Sequence, residues 1–155
     1  MYLWYLFCIW LTGFTACAEF GSFAFVHPVI KKLPPKYRIE VEQGLVKTFG
    51  SFMPFAMTAS MAVSIMFAIQ VLYEQRLVSS LAIAAAICFT LAIIFTVIFN
   101  VPRNYSVVKW DSEQPPENWE RQRTIWEVFQ GVRATLQLFG FVLFSAAVFL
   151  MAGMY

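Results

Sequence analysis

Charge is scarce in this sequence. Asp, Glu, Lys and Arg together make up 13% of the chain, about half the roughly 25% found in soluble domains. The formal net charge of +2 is too small to point to a nucleic-acid partner, whose phosphates call for clustered cations. Histidine occurs once, as His27. The chain alone therefore cannot supply both axial ligands of a b-type haem, and no Cys-x-x-Cys-His is present to attach a c-type one. Cys8, Cys17 and Cys88 stand far apart in apolar stretches. They read as small hydrophobes, with neither a zinc site nor a disulfide framework in view. No glycine-rich loop is present to cradle a phosphate. The residues around His27 are poor in acids, which speaks against a Ser-His-Asp arrangement, and Glu19 with His27 offers too few ligands for a metal. Neither a cofactor nor a metal is expected.

What fills the chain instead is apolar, at 60% of residues. A soluble domain of this length could not hide that much apolar surface, and lipid is its natural solvent. Four apolar stretches, Met1–Val26, Phe49–Tyr73, Leu77–Phe99 and Ala134–Tyr155, are nearly free of charge. Each exceeds the ~20 residues that a membrane helix needs at a rise of ~1.5 Å per residue. Continuous runs of this kind are helical, because a barrel strand alternates. The expected architecture is all-α: one four-helix transmembrane domain over residues 1–155, with spans near 2–26, 49–73, 77–99 and 132–154. Ala16-Cys17-Ala18 resembles a signal-cleavage site, and Phe14-Thr15-Ala16-Cys17 comes near a lipoprotein pattern. No basic residue precedes the run, however, as a signal peptide requires, so the first stretch is expected to remain as a span.

Charge placement orients the bundle. Lys31, Lys32, Lys36, Arg38 and Lys47 lie between the first two spans. Arg103, Lys109, Arg121, Arg123 and Arg133 lie between the last two or at the start of the fourth. The other side carries Arg76 alone. Basic segments stay in the cytoplasm, which puts both termini on the non-cytoplasmic side. Interfacial aromatics would agree: Tyr2, Trp4, Tyr5, Tyr73 and Tyr155 at the outer boundary, and Tyr37, Tyr105, Trp110, Trp119 and Trp126 at the inner one. The short Glu74-Gln75-Arg76 turn makes the second and third spans antiparallel neighbours. Gly13, Cys17 and Gly21 form a small-residue stripe suited to close helix approach, as do Ala82, Ala84, Ala85 and Ala86. After Leu33-Pro34-Pro35, residues 36–48 read as a short helix on the membrane surface. After Gln114-Pro115-Pro116, a helix starting at Pro116 is expected to run past Gly131 into the fourth span and project from the membrane.

The polar residues that could carry chemistry gather at the basic end. His27 precedes Pro28, where the first helix is expected to stop; Asn100, Pro102 and Asn104 form the expected exit from the third. Trp119, Arg123, Trp126, Gln130 and Arg133 follow at spacings of four, three, four and three, which is one helical stripe. Glu19 lies about two turns deeper than His27 on the first helix, at ~3.6 residues per turn. Each has a plain structural reading beside a functional one. His27 is a helix-end residue or a general base; Asn100 and Asn104 are caps or ligand-orienting groups. Trp119 and Trp126 are interface anchors or substrate platforms, and Arg121 and Arg123 are expected in solvent or among headgroups. An ionisable Glu19 within a span calls for a partner or a cavity.

At these positions the chain resembles the anthrone oxygenase-like family of small four-helix membrane proteins. The resemblance rests on Phe25-Val26-His27-Pro28, on Asn100-Val101-Pro102-Arg103-Asn104, and on Trp119, Arg123, Trp126 and Arg133 in order. Many members of that family carry His or Asn where this chain has Gln130, so a second histidine is missing here. The resemblance implies oxidation of an anthrone-type polycyclic phenol by O₂ without a cofactor. His27 would then act as base, Arg133 as oxyanion partner, Asn100 and Asn104 as orienting groups, and Trp119 and Trp126 as pocket walls. The rival is a non-enzymatic subunit of a larger membrane assembly, for which seventeen Phe residues offer more aromatic surface than four helices bury. A proton channel or transporter through Glu19 and His27 is the third reading, without a broken helix pair or internal repeat to support it. An enzyme requires a cavity at the basic end, a subunit requires the same groups bonded together without one, and a channel requires a wet path through Glu19.

Overall fold

A computed structural model describes residues 2–153, without the side chain of Tyr2. The chain forms four long helices. The first, α1, covers residues 2–30 as an α-helical Tyr2–Gly21, a π-helical Ser22–Val26 and a last turn His27–Ile30. Helix α2 is Pro35–Gln70, α3 is Arg76–Val107 and α4 is Trp119–Ala152. All four are long and apolar enough to cross a bilayer, and the protein is a four-helix membrane protein.

The helices alternate in direction, as their contacts show. Along α1 and α4, Gly13 meets Phe141, Glu19 meets Arg133, and Phe23 meets Gly131. Between α1 and α2, the Ser60 hydroxyl donates to Thr15 Oγ1 at 3.0 Å, and Tyr5 packs edge-on to Phe67. Between α3 and α4, Gly140 faces Cys88 and Phe89, and Asn100 reaches the Trp126 carbonyl. An up-down-up-down bundle follows, with the start of α1 and the end of α4 at the same end of it.

Three local expectations are corrected. Residues 36–48 do not form a separate surface helix. Pro35 takes the first helical position, where its missing N–H costs nothing, and α2 runs on unbroken for 36 residues. Neither His27 nor Asn100 ends a helix, either. Ahead of Pro28 and Pro102 the backbone widens to π geometry, with the His27 N–H donating to the Ser22 carbonyl and the Val101 N–H to the Thr96 carbonyl. Proline lacks an N–H and its ring crowds the carbonyl four residues back; a wider turn relieves both problems and lets each helix continue. Finally, α4 begins at Trp119, with Asn118 at the cap, so Pro116 and Glu117 stay outside it.

The bundle has two chemically distinct halves. The half near the chain ends is an apolar core: Cys8, Val63, Phe67, Val71, Ala82, Ala85, Phe144, Ala147 and Met151 cluster there. Ala82 and Ala85 are fully buried and let α4 approach closely, as their small size suggests. The stripe of Gly13, Cys17 and Gly21 behaves differently. Gly13 is packed under Phe141, but Cys17 is exposed and nothing lies near Gly21, so only the first of the three serves helix contact. The half at the basic end buries Glu19, His27, Arg38, Glu42, Asn100, Arg123, Gln130 and Arg133. Of the expected interfacial aromatics, Tyr37, Tyr73 and Tyr105 are exposed while Trp126 is buried. Tyr155 and the side chain of Tyr2 lie outside the described residues.

Candidate functional site

Two buried ion-pair groups organise the polar half. In the deeper one, Arg133 Nη2 donates to Glu19 Oε2 at 2.6 Å, and Gln130 Nε2 donates to the same oxygen at 2.9 Å. Glu19 is fully buried, and a lone carboxylate there would be costly; a guanidinium from α4 is the partner that its depth calls for. Arg133 also points Nη1 towards Thr96 Oγ1 on α3 at 3.5 Å, which brings three helices to one point.

The second group lies nearer the basic end. Arg123 is 2% exposed, against the expectation of solvent or headgroups, and its Nε sits 2.7 Å from Glu42 Oε2. Arg38, one turn before Glu42 on α2, donates Nε to Glu42 Oε1 at 3.1 Å and Nη2 to Glu127 Oε1 at 2.7 Å. Lys31 closes the chain on Glu127 Oε2 at 2.8 Å. These alternating charges tie α1, α2 and α4 together. Sequence reasoning missed Glu42, Arg38 and Glu127. The available signal was the Arg38/Glu42 spacing of four, which places the two on one helical face.

Aromatic rings complete the arrangement. The Arg123 guanidinium stands 4.2 Å from the centre of the Trp126 ring, and the His27 ring packs 4.8 Å from the same indole at 52°. His27 is buried, and among the described residues its ring nitrogens take part in no hydrogen bond. The π turn ahead of Pro28 lets α1 carry His27 inward as far as this indole. The matching π turn in α3 buries Asn100 completely, with Nδ2 donating to the Trp126 carbonyl at 3.3 Å.

These groups border a cavity of about 510 Å³ between the four helices, within the roughly 300–1,000 Å³ typical of small-molecule sites. Its polar wall includes Glu19, His27, Glu42, Asn104, Arg123, Gln130 and Arg133; its apolar wall includes Leu45, Val46, Phe49, Met53 and Met57. Trp126 lies in the lining as well. Of the sequence-predicted site residues, two stand apart from the cavity. Asn100 lies behind Trp126, and Trp119 lies nearer α2, 5.4 Å from the Arg38 guanidinium. His27, Trp126 and Gln130 also border a groove on the far side, lined by Phe23, Pro28, Lys31 and Glu127, so this wall is one side chain thick. Among the described residues no group of three His, Cys, Asp or Glu side chains could hold a metal.

Apolar side chains of α2 therefore share one lining with the His27 imidazole and with two guanidinium groups, each paired with a buried carboxylate. Burial of the paired charges strengthens these electrostatic contacts. No curated protein and no solved structure matches the chain. A family model described as Anthrone oxygenase matches residues 45–143, from the cavity side of α2 through α3 and most of α4. That match takes in well over half of the sequence, and the chain belongs to the anthrone oxygenase family.

Proposed function

We propose that the cavity is the active site of a cofactor-independent oxygenase, which converts the activated methylene of an anthrone-type polycyclic phenol to a carbonyl with O₂. The observation that carries this reading is His27: the only histidine of the chain, buried with free ring nitrogens beside an apolar cavity and next to Arg123 and Arg133. The accessory-subunit reading requires these groups to be bonded together with no cavity between them, and a cavity borders them here.

His27 takes a proton from the methylene carbon, and the charge left behind spreads to the ring oxygen, where Arg133 is the oxyanion partner and Asn104 orients the ring. Glu19 holds Arg133 in place, while Trp126 walls the slot. Asn100 positions Trp126 from behind through its carbonyl. The electron-rich anion passes an electron to O₂, and the two radicals join in a C–O bond. The peroxide takes the proton from His27. His27 then removes the second proton of the same carbon as the O–O bond breaks, and returns it to the departing hydroxide. The balance is CH₂ + O₂ → C=O + H₂O. The two basic segments support a cytoplasmic position for the cavity end, with both termini on the other side.

The test is purified protein in lipid nanodiscs given a hydroxyanthrone under oxygen-18 gas. One labelled oxygen should enter the new carbonyl for each O₂ consumed. His27→Ala should lower turnover by about 10²–10⁴-fold with its helix content intact. Turnover of that variant at the wild-type rate would remove the core of the proposal.

A further inference from the structure

We propose that the cavity takes its substrate sideways from the bilayer, through a portal between α2 and the end of α3, and that Gly50 sets the portal's width. This rests on reading the cavity as a site for an apolar polycyclic molecule.

The walls of the cavity differ in exposure. Of the lining residues that α1 and α4 contribute, all but the half-buried Ser22 are buried, among them Glu19, His27, Arg123 and Gln130. The exposed ones are Gly50 and Pro54 on α2, Tyr105 on α3, and Val108 and Lys109 just beyond it. The mouth therefore lies between those two elements. At the far side of the rim, Gln43 Nε2 clamps them by donating to the Val107 and Trp110 carbonyls, each at 2.9 Å. The apolar run of the second span starts at Phe49, while Lys47, Tyr105 and Lys109 mark the headgroup level. The rim thus straddles the boundary between headgroups and hydrocarbon, where a polycyclic phenol partitions with its rings in the acyl region and its hydroxyls near water.

Gly50 is one of the exposed residues of this rim. A Cβ built there meets the Val46 side chain of its own helix at 3.7 Å and no atom of α3 within 4 Å. A glycine inside a helix costs about 1 kcal/mol relative to alanine, and packing does not require it at this position. What its missing side chain provides is open space in the mouth. Gly44 is the natural control: it is also exposed with nothing within 4 Å, and it does not line the cavity.

The experiment uses the full chain in phosphatidylcholine vesicles, with a dihydroxyanthraquinone as probe and its quenching of tryptophan emission followed by stopped flow. Association should slow in the order Gly50→Ala, Gly50→Leu, Gly50→Phe, reaching about tenfold for the last. Gly44→Phe should behave as wild type, and the wild-type rate should follow the mole fraction of probe in the lipid. Wild-type entry into Gly50→Phe, or a rate that follows the aqueous probe concentration, overturns the portal while leaving the cavity reading intact. Failure of the wild-type protein to bind the probe overturns the cavity reading and the portal with it.

Discussion

Arg133 on α4 and Glu19 on α1 meet at 2.6 Å in the middle of the bundle, and Gln130 donates to the same carboxylate oxygen from one turn away. Each of these two groups is what makes the burial of the other tolerable. Removing one leaves an unpaired charge far from water, which costs about 3–5 kcal/mol, whereas removing both together costs much less. Glu19→Leu and Arg133→Met should each destabilise by about that amount, and the double variant should regain most of the loss. Unfolding titrations in mixed micelles, analysed as a double-mutant cycle, measure the coupling. Additive losses would show that the pair does not hold the helices together.

Glu42 offers a contrast with the surface. It is buried between Arg38 and Arg123, whereas Glu113 pairs with Lys36 at exposed positions. Glu42→Gln should strip Arg123 of its counter-charge and cost about 3 kcal/mol or more, by the argument for broken buried pairs. Glu113→Gln should leave the unfolding midpoint unchanged, because solvent and salt screen the pair that it removes. Comparing the two variants in the same unfolding titration checks this, and equal losses would count against the buried network.

The two asparagines should separate by function. Asn104 lines the cavity, and Asn100 is fully buried behind Trp126. Asn104→Leu should raise KM or lower kcat about tenfold while leaving stability within about 1 kcal/mol, as for a lost ligand-orienting hydrogen bond. Asn100→Leu should weaken stability first, by about 1–3 kcal/mol, since its amide donates to a buried carbonyl that would lose its partner. Kinetics with a hydroxyanthrone, run beside thermal unfolding, distinguish the two. The same profile for both variants would refute the division.

The four helices and the polar gathering at one end were legible in the sequence because each follows from local facts. A long apolar run must cover its own backbone polar groups, and only a helix does so in lipid. The stripe from Trp119 to Arg133 was legible because helical spacing alone puts those residues on one face. Glu42 and Arg38 were not legible as site residues. They lie in a segment rich in charge, and a charged residue beside a basic stretch looks solvated until a third helix is seen to cover it. The π turns escaped as well, since X-Pro reads locally as an end, and here the surrounding helices favour continuation.

By itself the sequence determined the solvent of this protein and the number, rough length and polar end of its helices. Those properties depend on hydrophobicity and spacing along one chain. Only the tertiary structure decided that Glu19 belongs to Arg133 and Glu42 to Arg123, that His27 and Trp126 share a wall, and that a cavity rather than a packed cluster borders them. Pairing of buried charges depends on which helix faces meet and at what depth, and partners 114 residues apart carry no local signal of each other.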